Sequence, residues 1–398
     1  MGTSERRTVR DLRRGNRAML LRSLYFGGPA SRNELSAATG LSAATVSTMT
    51  GDLLGDHVIV EAGQVDSDGG RPRVLLRVNP DYGYAVGVDV GETQVKVELF
   101  DLEMKERARA HYAVRSAKHD PELVARHILT GVDAVIAEGG VAPEQVLGVG
   151  VGVPGIVDPG PDALVRAKTF GWESVPLGAL LRAGASPELP LYVDNGAKTM
   201  GQAELWFGSG KGTREAIIVL MGSGVGGAIV TGGEIYRGAG KAAGEVGHLK
   251  IVAGGRACRC GARGCLEAYL GAEAILDRAG VVADSAEEEA ALARLLEEGS
   301  PVIDESVELL GVGLSSLVHL FNPERIVIGG WAGLMLGGRL LDRIRAATAA
   351  NTQAQPFRPG TVVLGRLGPD AVALGAATLV LEPFFGNAAF RGTVSTIA

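Results

Sequence analysis

Four residues stand out in the 398-residue sequence for the chemistry they could do together: His248, Cys258, Cys260 and Cys265. The chain contains no other cysteine. An odd, tightly clustered set makes a poor disulfide framework, whereas one imidazole and three thiolates make a closed, tetrahedral zinc site. Nine, one and four residues separate successive ligands, which closes a compact loop. Buried free thiols beside an unrelated histidine are the plainer alternative. Four protein ligands leave no position for water, so the zinc (Zn2+) expected here is structural. It would fix the start of a helix at Leu266 and so place Glu267.

Three glycine-bearing turns could hold phosphates. Tyr84 to Asp101 reads strand, tight turn, strand, with Asp89-x-Gly91-x-Thr93 in the turn. In ATPases of the actin-like fold the Asp of such a hairpin orders Mg2+ and the Gly lets backbone N–H groups approach phosphate. Many plain hairpins carry the same residues. Ala216 to Gly233 contains Gly222-Ser223-Gly224-x-x-Gly227. That spacing matches the dinucleotide fingerprint, but the fingerprint needs a helix after the loop. Here Ala228 to Thr231 is β-like, so a second glycine-rich hairpin is expected instead. Arg325 to Gly330 reads as a strand ending in Gly329-Gly330 before a helix, which suits a third loop near an adenosine.

These turns need a scaffold. Asp120 caps an expected helix from Pro121 to Glu138, an apolar strand follows at Val146 to Val153, and Leu191-Tyr192-Val193 is a short strand. That strand runs into Asp194-Asn195-Gly196 and a helix to about Trp206. Alternating strands and helices make this an α/β body.

Residues 1–80 read differently. Arg10 to Tyr25 has helical apolar spacing and stops at Gly27-Gly28-Pro29. Ser31 and Glu34 form a capping-box pattern for a helix to about Thr39; Gly40 turns the chain, and Ser42 caps a helix to about Leu54. Helix, short turn, helix is the helix-turn-helix pattern. Val46, Met49 and Leu53 point inward on the second helix, which leaves Ser42, Ala43, Thr45, Ser47 and Thr48 outward. Small polar side chains let a helix sit deep in a major groove. Arg32 joins this candidate DNA surface. The β-rich stretches that follow flank Gly69-Gly70-Arg71-Pro72-Arg73, a wing whose Arg71 and Arg73 could enter a narrow, A·T-rich minor groove. The same elements could serve packing or dimerisation alone.

Charge separates the two parts. Residues 1–80 hold eleven Arg, no Lys and eight acidic residues, a net +3, while the remainder sums to −9. A basic head on an acidic body suggests that only the head meets a polyanion; a solvated arm is the alternative. No apolar run approaches the ~20 residues of a membrane span, and no signal-peptide core follows the Arg-rich start. A cytoplasmic protein with no membrane partner is expected.

Taken in order, the D-x-G-x-T hairpin, Gly-Val-Pro-Gly-Ile-Val-Asp at 152–158, the Gly222 loop, Gly-Glu-Val-Gly-His at 244–248 and Cys-x-Cys-Gly-x-x-Gly-Cys-Leu-Glu at 258–267 resemble the ROK family of bacterial sugar kinases and sugar-responsive repressors. The resemblance spans essentially the whole chain, is actinobacterial in flavour, and the N-terminal head points to the repressor branch. It implies a winged helix-turn-helix at 1–80 and a two-lobed, actin-like (ribonuclease H-like) sugar-kinase-type ATPase domain at 81–398. One lobe would comprise 81–205 with a C-terminal helix near 371–385, the other 206–370. The resemblance further implies that Asn195, Glu245, His248 and Glu267 hold a sugar or sugar phosphate, with His248 serving metal and sugar through different ring nitrogens. It implies an operator with inverted, A·T-rich half-sites read by a homodimer or homotetramer.

One departure decides the expected activity. Kinases that the chain resembles carry Glu-Asn-Asp-Ala-Asn, whose Asp is the general base, where this chain has Asp194-Asn195-Gly196-Ala197-Lys198. Gly196 offers no proton acceptor, and losing a general base costs about 10²–10⁴-fold in rate. No catalytic residue is therefore assigned. Lys198 could reach a phosphate but reads more simply as a surface lysine. The phosphate turns are less eroded: Asp89, Gly91 and Thr93 remain, and Ser223 stands where Thr is usual. Residual ATP or ADP binding stays open, as does a bifunctional sugar kinase that also binds DNA.

Overall fold

The first elements form where the sequence supplies caps and breaks. Helix α1 (Val9–Gly27) ends at the Gly-Gly-Pro break. Helix α2 (Arg32–Thr39) opens with a complete capping box: Ser31 accepts from the Glu34 N–H, and the Glu34 carboxylate accepts from the Ser31 N–H at 2.8 Å. It stops at Gly40, whose φ of +71° is the left-handed conformation glycine adopts freely. Helix α3 (Ala43–Gly55), capped by Ser42, buries Val46, Met49, Thr50 and Leu53. Strands β1 (Ile59–Ser67) and β2 (Gly70–Val78) pair antiparallel beside these helices. The computed structural model describes residues 9–67, 70–114, 119–158, 160–185, 189–284, 287–353, 357–386 and 396–397.

Two larger sheets repeat one pattern. The first contains β3 (Tyr84–Val90), β4 (Gln94–Asp101), β5 (Glu106–Ala113), β6 (Val146–Val153) and β10 (Leu191–Asn195), with β16 (Thr396–Ile397) at its edge. Helix α4 (Pro121–Glu138), capped by Asp120 as its sequence predicts, packs on β4 and β5. A side sheet of β7 (Ile156–Val157), β8 (Leu164–Ala167) and β9 (Trp172–Pro176) leads to α5 (Leu177–Gly184). The second large sheet contains β11 (Ala216–Met221), β12 (Val225–Thr231), β13 (Glu234–Tyr236), β14 (Arg325–Gly329) and β15 (Val362–Leu364). In each, the first strand of a hairpin (β3 or β11) lies beside parallel strands, β6 and β10 or β14 and β15. The fold is α/β, and β12 rather than a helix follows the Gly222 loop.

Helix α6 (Gly196–Trp206) runs between the two sheets; it packs on β11 and β12 on one side and on α12 (Ala371–Phe385) on the other. The close approach of α12 needs missing side chains. A Cβ at Gly87 or Gly150 would run into the Ala373 or Ala376 carbonyl, and one at Gly375 into Thr199. Strand β10 extends two residues past the expected Val193, because Asp194 and Asn195 continue the parallel register against Gly152 and Val153. The second sheet is covered by α7 (Glu267–Leu270), α8 (Ala272–Arg278), α9 (Glu288–Glu298), α10 (Pro301–Phe321) and α11 (Trp331–Ala350).

The N-terminal helices share a core with this body. Leu20, Leu21 and Leu24 of α1 belong to one buried cluster with Leu35, Val46 and Leu76, and with Leu379 and Phe385 of α12. Tyr25 and Phe26 meet Trp206, Phe207 and Phe385 edge-on: the Phe26–Trp206 and Tyr25–Phe385 ring centres are 5.0 and 4.9 Å apart.

Candidate functional site

The cysteine loop folds with little regular structure, held by isolated bridges between Lys250 and Cys265 and between Ala257 and Arg263. It brings one donor atom each from His248, Cys258, Cys260 and Cys265 within 4.8 Å of one another. His248 Nδ1 faces Cys258 Sγ at 3.8 Å, and Lys250 Nζ donates to Cys265 Sγ at 2.8 Å. Cys258 and Cys265 are buried. The four side chains fit a metal ion by number, type and proximity.

Next to this cluster stand two of the residues expected to hold sugar, Glu267 and Glu245. Glu267 opens α7, is 8% exposed, and accepts from the Val225 N–H at 3.1 Å. Its other oxygen faces Cys258 Sγ at 3.5 Å. Glu245 precedes the short turn that carries His248, and burial pushes its carboxyl above the usual range. Asn195 sits at the junction of β10 and α6. Its side-chain oxygen caps the helix, accepting from Ala197 and Lys198 N–H groups at 2.9 and 3.1 Å, and its amide donates to the Gly155 carbonyl at 2.7 Å. One donor of that amide is left for a ligand.

The base position is empty of carboxylate. Gly196 has no left-handed φ. A Cβ there would first meet Val372 at 3.4 Å, an ordinary contact, so neither space nor backbone demands glycine. The neighbouring Asp194 is tied to Arg237 Nη1 and also accepts from the Asn195 N–H. That pairing removes it as a free proton acceptor. Lys198 corrects the sequence expectation: it is 3% exposed, not a surface lysine. Position 198 follows the cap by one turn, in a helix whose residues from Ala197 to Trp206 are all buried between α12 and the second sheet.

The three phosphate-type turns converge. Gly222 adjoins Trp331, and Gly330 adjoins Met221, so the second and third turns touch. The turn of the first hairpin reaches them through Glu92, a residue the sequence reading passed over. Arg259, between two of the cysteines, donates to Glu92 at 2.5 and 3.2 Å and lies 3.7 Å from Glu267 and 3.2 Å from Glu273. Gly224 is the near wall of this cluster, with Arg259, Glu267 and Glu92 all within 3.3 Å of where its Cβ would be. The pair of Arg259 and Glu92 thus joins the cysteine loop to the turn of the first hairpin. Ser223 is committed elsewhere, its hydroxyl 2.5 Å from buried Glu288. Burial pushes the Asp89 carboxyl up to about 6, with Lys96 opposing the shift. Gly91 and Thr93 lie in the same turn, and Gly329 ends β14. Arg259, Arg237 and Glu288 had no signal in the motifs, because their importance comes only from what they face.

On the N-terminal helices, Ser42, Ala43, Ser47 and Thr48 are exposed and Thr45 half-buried. Arg32 is partly used internally, its Nε donating to Thr50 Oγ1 at 2.9 Å. Arg73 is exposed and 3.5 Å from Glu34. Arg71 is on β2 but its side chain, like Gly69, lies outside the described residues.

A profile of the ROK family matches residues 85–383. A xylose repressor of Caldicellulosiruptor bescii is 30% identical over 388 residues, covering 93% of this chain and 96% of its own length. A glucokinase of Streptomyces coelicolor is also 30% identical, but over 324 residues, covering 76% of this chain and 98% of the enzyme. A solved ROK family transcriptional regulator, a homologue of the E. coli MLC protein, superimposes with a TM-score of 0.75 over 94% of this chain and 97% of its own at 23% identity, a likeness of fold. Among the described residues no helix is long and apolar enough to cross a membrane.

Proposed function

This chain belongs to the ROK family, and we propose that it is a sugar-responsive transcriptional repressor of carbohydrate uptake or metabolism, not a sugar kinase. The observation that carries this reading is Gly196. In this reading Asn195, Glu245, His248 and Glu267 hold the sugar, yet position 196 offers no carboxylate and Asp194 is occupied by Arg237. A site that binds without reacting is a sensor.

Residues 1–80 form a winged helix-turn-helix in this reading. Helix α3 enters the major groove with Ser42, Ala43, Thr45, Ser47 and Thr48, while Arg71 and Arg73 on the wing reach the flanking minor groove; Arg32 contacts the backbone with what Thr50 leaves of its guanidinium. A two-fold homodimer, alone or paired in a tetramer, reads an inverted repeat. The lobes 81–205 with α12 and 206–370 close on the sugar. Zinc suits the His and three Cys donors, holds the loop that ends at Glu267, and takes no part in chemistry. Asp89, Gly91, Thr93, Gly222, Gly224, Gly329 and Gly330 are relics of an ATP or ADP site, beside which the Arg259–Glu92 pair now lies.

The test is thermal melting of the metal-loaded protein with sugars and sugar phosphates, with and without Mg-ATP, followed by operator-binding assays. A sugar that raises the melting temperature and changes operator affinity without ADP release is the expected result. ADP release would make the chain a bifunctional kinase, and no shift with any ligand would leave a constitutive DNA binder.

Glu245→Ala separates the two halves of the function. Removing a carboxylate that accepts from sugar hydroxyls is expected to weaken sugar binding at least tenfold, since hydrogen bonds to charged groups are worth about 1.5–3 kcal/mol. Operator affinity without sugar should stay within about twofold of the parent. A variant that responds normally to sugar would remove Glu245 from the site.

A further inference from the structure

Lys198 is the residue that the sensor reading leaves unexplained. Its side chain is almost wholly withdrawn from water, and its ammonium donates to one group, the Lys241 carbonyl. An ammonium has three donors. Among the described residues no carboxylate lies within ion-pair distance of it. Asp194 and Glu245 are near enough to favour its charge, but neither forms an ion pair with it, Asp194 pairing with Arg237 instead. Meanwhile Arg237 and Lys241 add like charge, and burial together with that charge pulls the Lys241 ammonium below its usual range. Burying cations side by side is unfavourable unless something negative joins them.

The position says what that is. Lys198 lies in the first turn of the helix capped by Asn195, and the carbonyl it holds belongs to the loop that delivers Glu245. It therefore reaches the edge of the same cleft. We propose that the effector is an anionic sugar, carrying a phosphate or carboxylate group, and that Lys198 receives that group. The inference rests on the cleft being the sugar site. It sets this chain apart from a sensor of neutral xylose, the sugar in the name of its relative in Caldicellulosiruptor bescii.

The experiment is calorimetric titration of the full-length, metal-loaded protein with matched sets: D-xylose, D-xylonate and D-xylose 5-phosphate, then D-glucose, D-gluconate and D-glucose 6-phosphate. In at least one set an anionic member should bind ten times more tightly than its neutral parent, or better, because a charge-assisted contact adds about tenfold or more. Whether the acid or the phosphate wins identifies the group. Lys198→Gln should erase the preference while leaving affinity for the neutral parent within about twofold, and Lys198→Arg should retain it. Neutral sugars binding as tightly as their anionic partners would overturn the proposal. So would an equal loss for both kinds in Lys198→Gln, which would make Lys198 a strut for the Lys241 loop. Failure of every ligand in both sets, with the metal in place, would remove the sugar reading itself.

Discussion

Stripping the metal with a strong chelator is expected to lower the melting temperature of the body by more than 10 °C and to abolish sugar binding. The loop from Glu245 to Leu266 has no helix or strand longer than a short turn, and its backbone bonds and apolar side chains, Val246, Leu249, Ile251 and Leu266 among them, pack around the cysteine cluster. Its four donor atoms lie at one point, within 4.8 Å of one another, so a metal there would tie both ends of the loop together. Structural zinc sites contribute roughly 10–16 kcal/mol of apparent binding energy in small domains. Whole proteins are stable by only about 5–15 kcal/mol. Even half of the zinc contribution, about 5–8 kcal/mol, at about 2–4 °C per kcal/mol for a lobe of this size, gives a shift of about 10 °C or more. The loop also carries Arg259, so its loss would release Glu92 and open the contact with the first hairpin. Glu267 would lose its place beside Cys258 as well. Calorimetry with and without chelator, alongside metal analysis, checks this; Cys260→Ser should reproduce the chelated protein. One metal per chain and a lowered melting point are expected together. An unchanged melting point after complete chelation would leave the cluster as buried thiols.

Much of this site was legible because its residues announce themselves by type. A chain with three cysteines placed beside a Gly-Glu-x-Gly-His segment needs no coordinates to suggest a metal loop, and Gly196 is conspicuous against the kinase pattern. The local rules also held where they are strongest. The Ser31–Glu34 capping box, the Asp120 cap and the left-handed Gly40 all fell where sequence chemistry put them. A helix after the Gly222 loop was excluded by the β-like residues that follow, and the hairpin bears this out.

What was not legible is long-range pairing of charge. Lys198 looked exposed because a lysine three residues after a cap usually is. It is buried because α6 runs between two sheets and α12, a fact of topology rather than of local pattern. Arg259 looked like one basic residue in a cysteine loop, and its contact with Glu92 spans 167 positions in sequence. Glu382 gives no sign of its role in the sequence. On α12 it lies in the fields of Arg237 and Asp194 on the cleft side and of Arg22 on α1, and burial pushes it up to about 7. Such residues link parts of the molecule, and the linkage decides how a sensor reports.

Replacing Phe26 by Ala is expected to leave both binding activities and break the connection between them. Helix α6 starts at Asn195 in the cleft and ends at Trp206, about 16 Å away at 1.5 Å per residue. Trp206 meets Phe26 of α1 with ring centres 5.0 Å apart, and Phe26 in turn touches Tyr25 and Phe385. Arg22 stacks over Phe26, Trp206 and Phe385 from the same helix. A shift of α6 on sugar binding therefore moves an aromatic wedge that belongs jointly to α1 and the body. Packed aromatic contacts have discrete arrangements and do not deform smoothly, so they transmit small displacements. Truncating Phe26 removes the wedge and costs about 3–5 kcal/mol of junction packing. The head retains its own core of Leu20, Leu21, Leu35, Val46 and Leu76, so operator affinity without sugar should stay within a fewfold of the parent. Sugar affinity should likewise change little beyond the loss of coupling. Allosteric coupling typically amounts to about 5–150-fold, and that factor should fall to near one in Phe26→Ala, with Phe26→Leu in between. Reciprocity requires that operator DNA then cease to affect sugar binding as well. Operator titrations with and without effector, run on both variants, measure the factor directly. A coupling factor unchanged in Phe26→Ala would mean that the signal leaves the cleft by another route, such as a dimer interface, and not through α6.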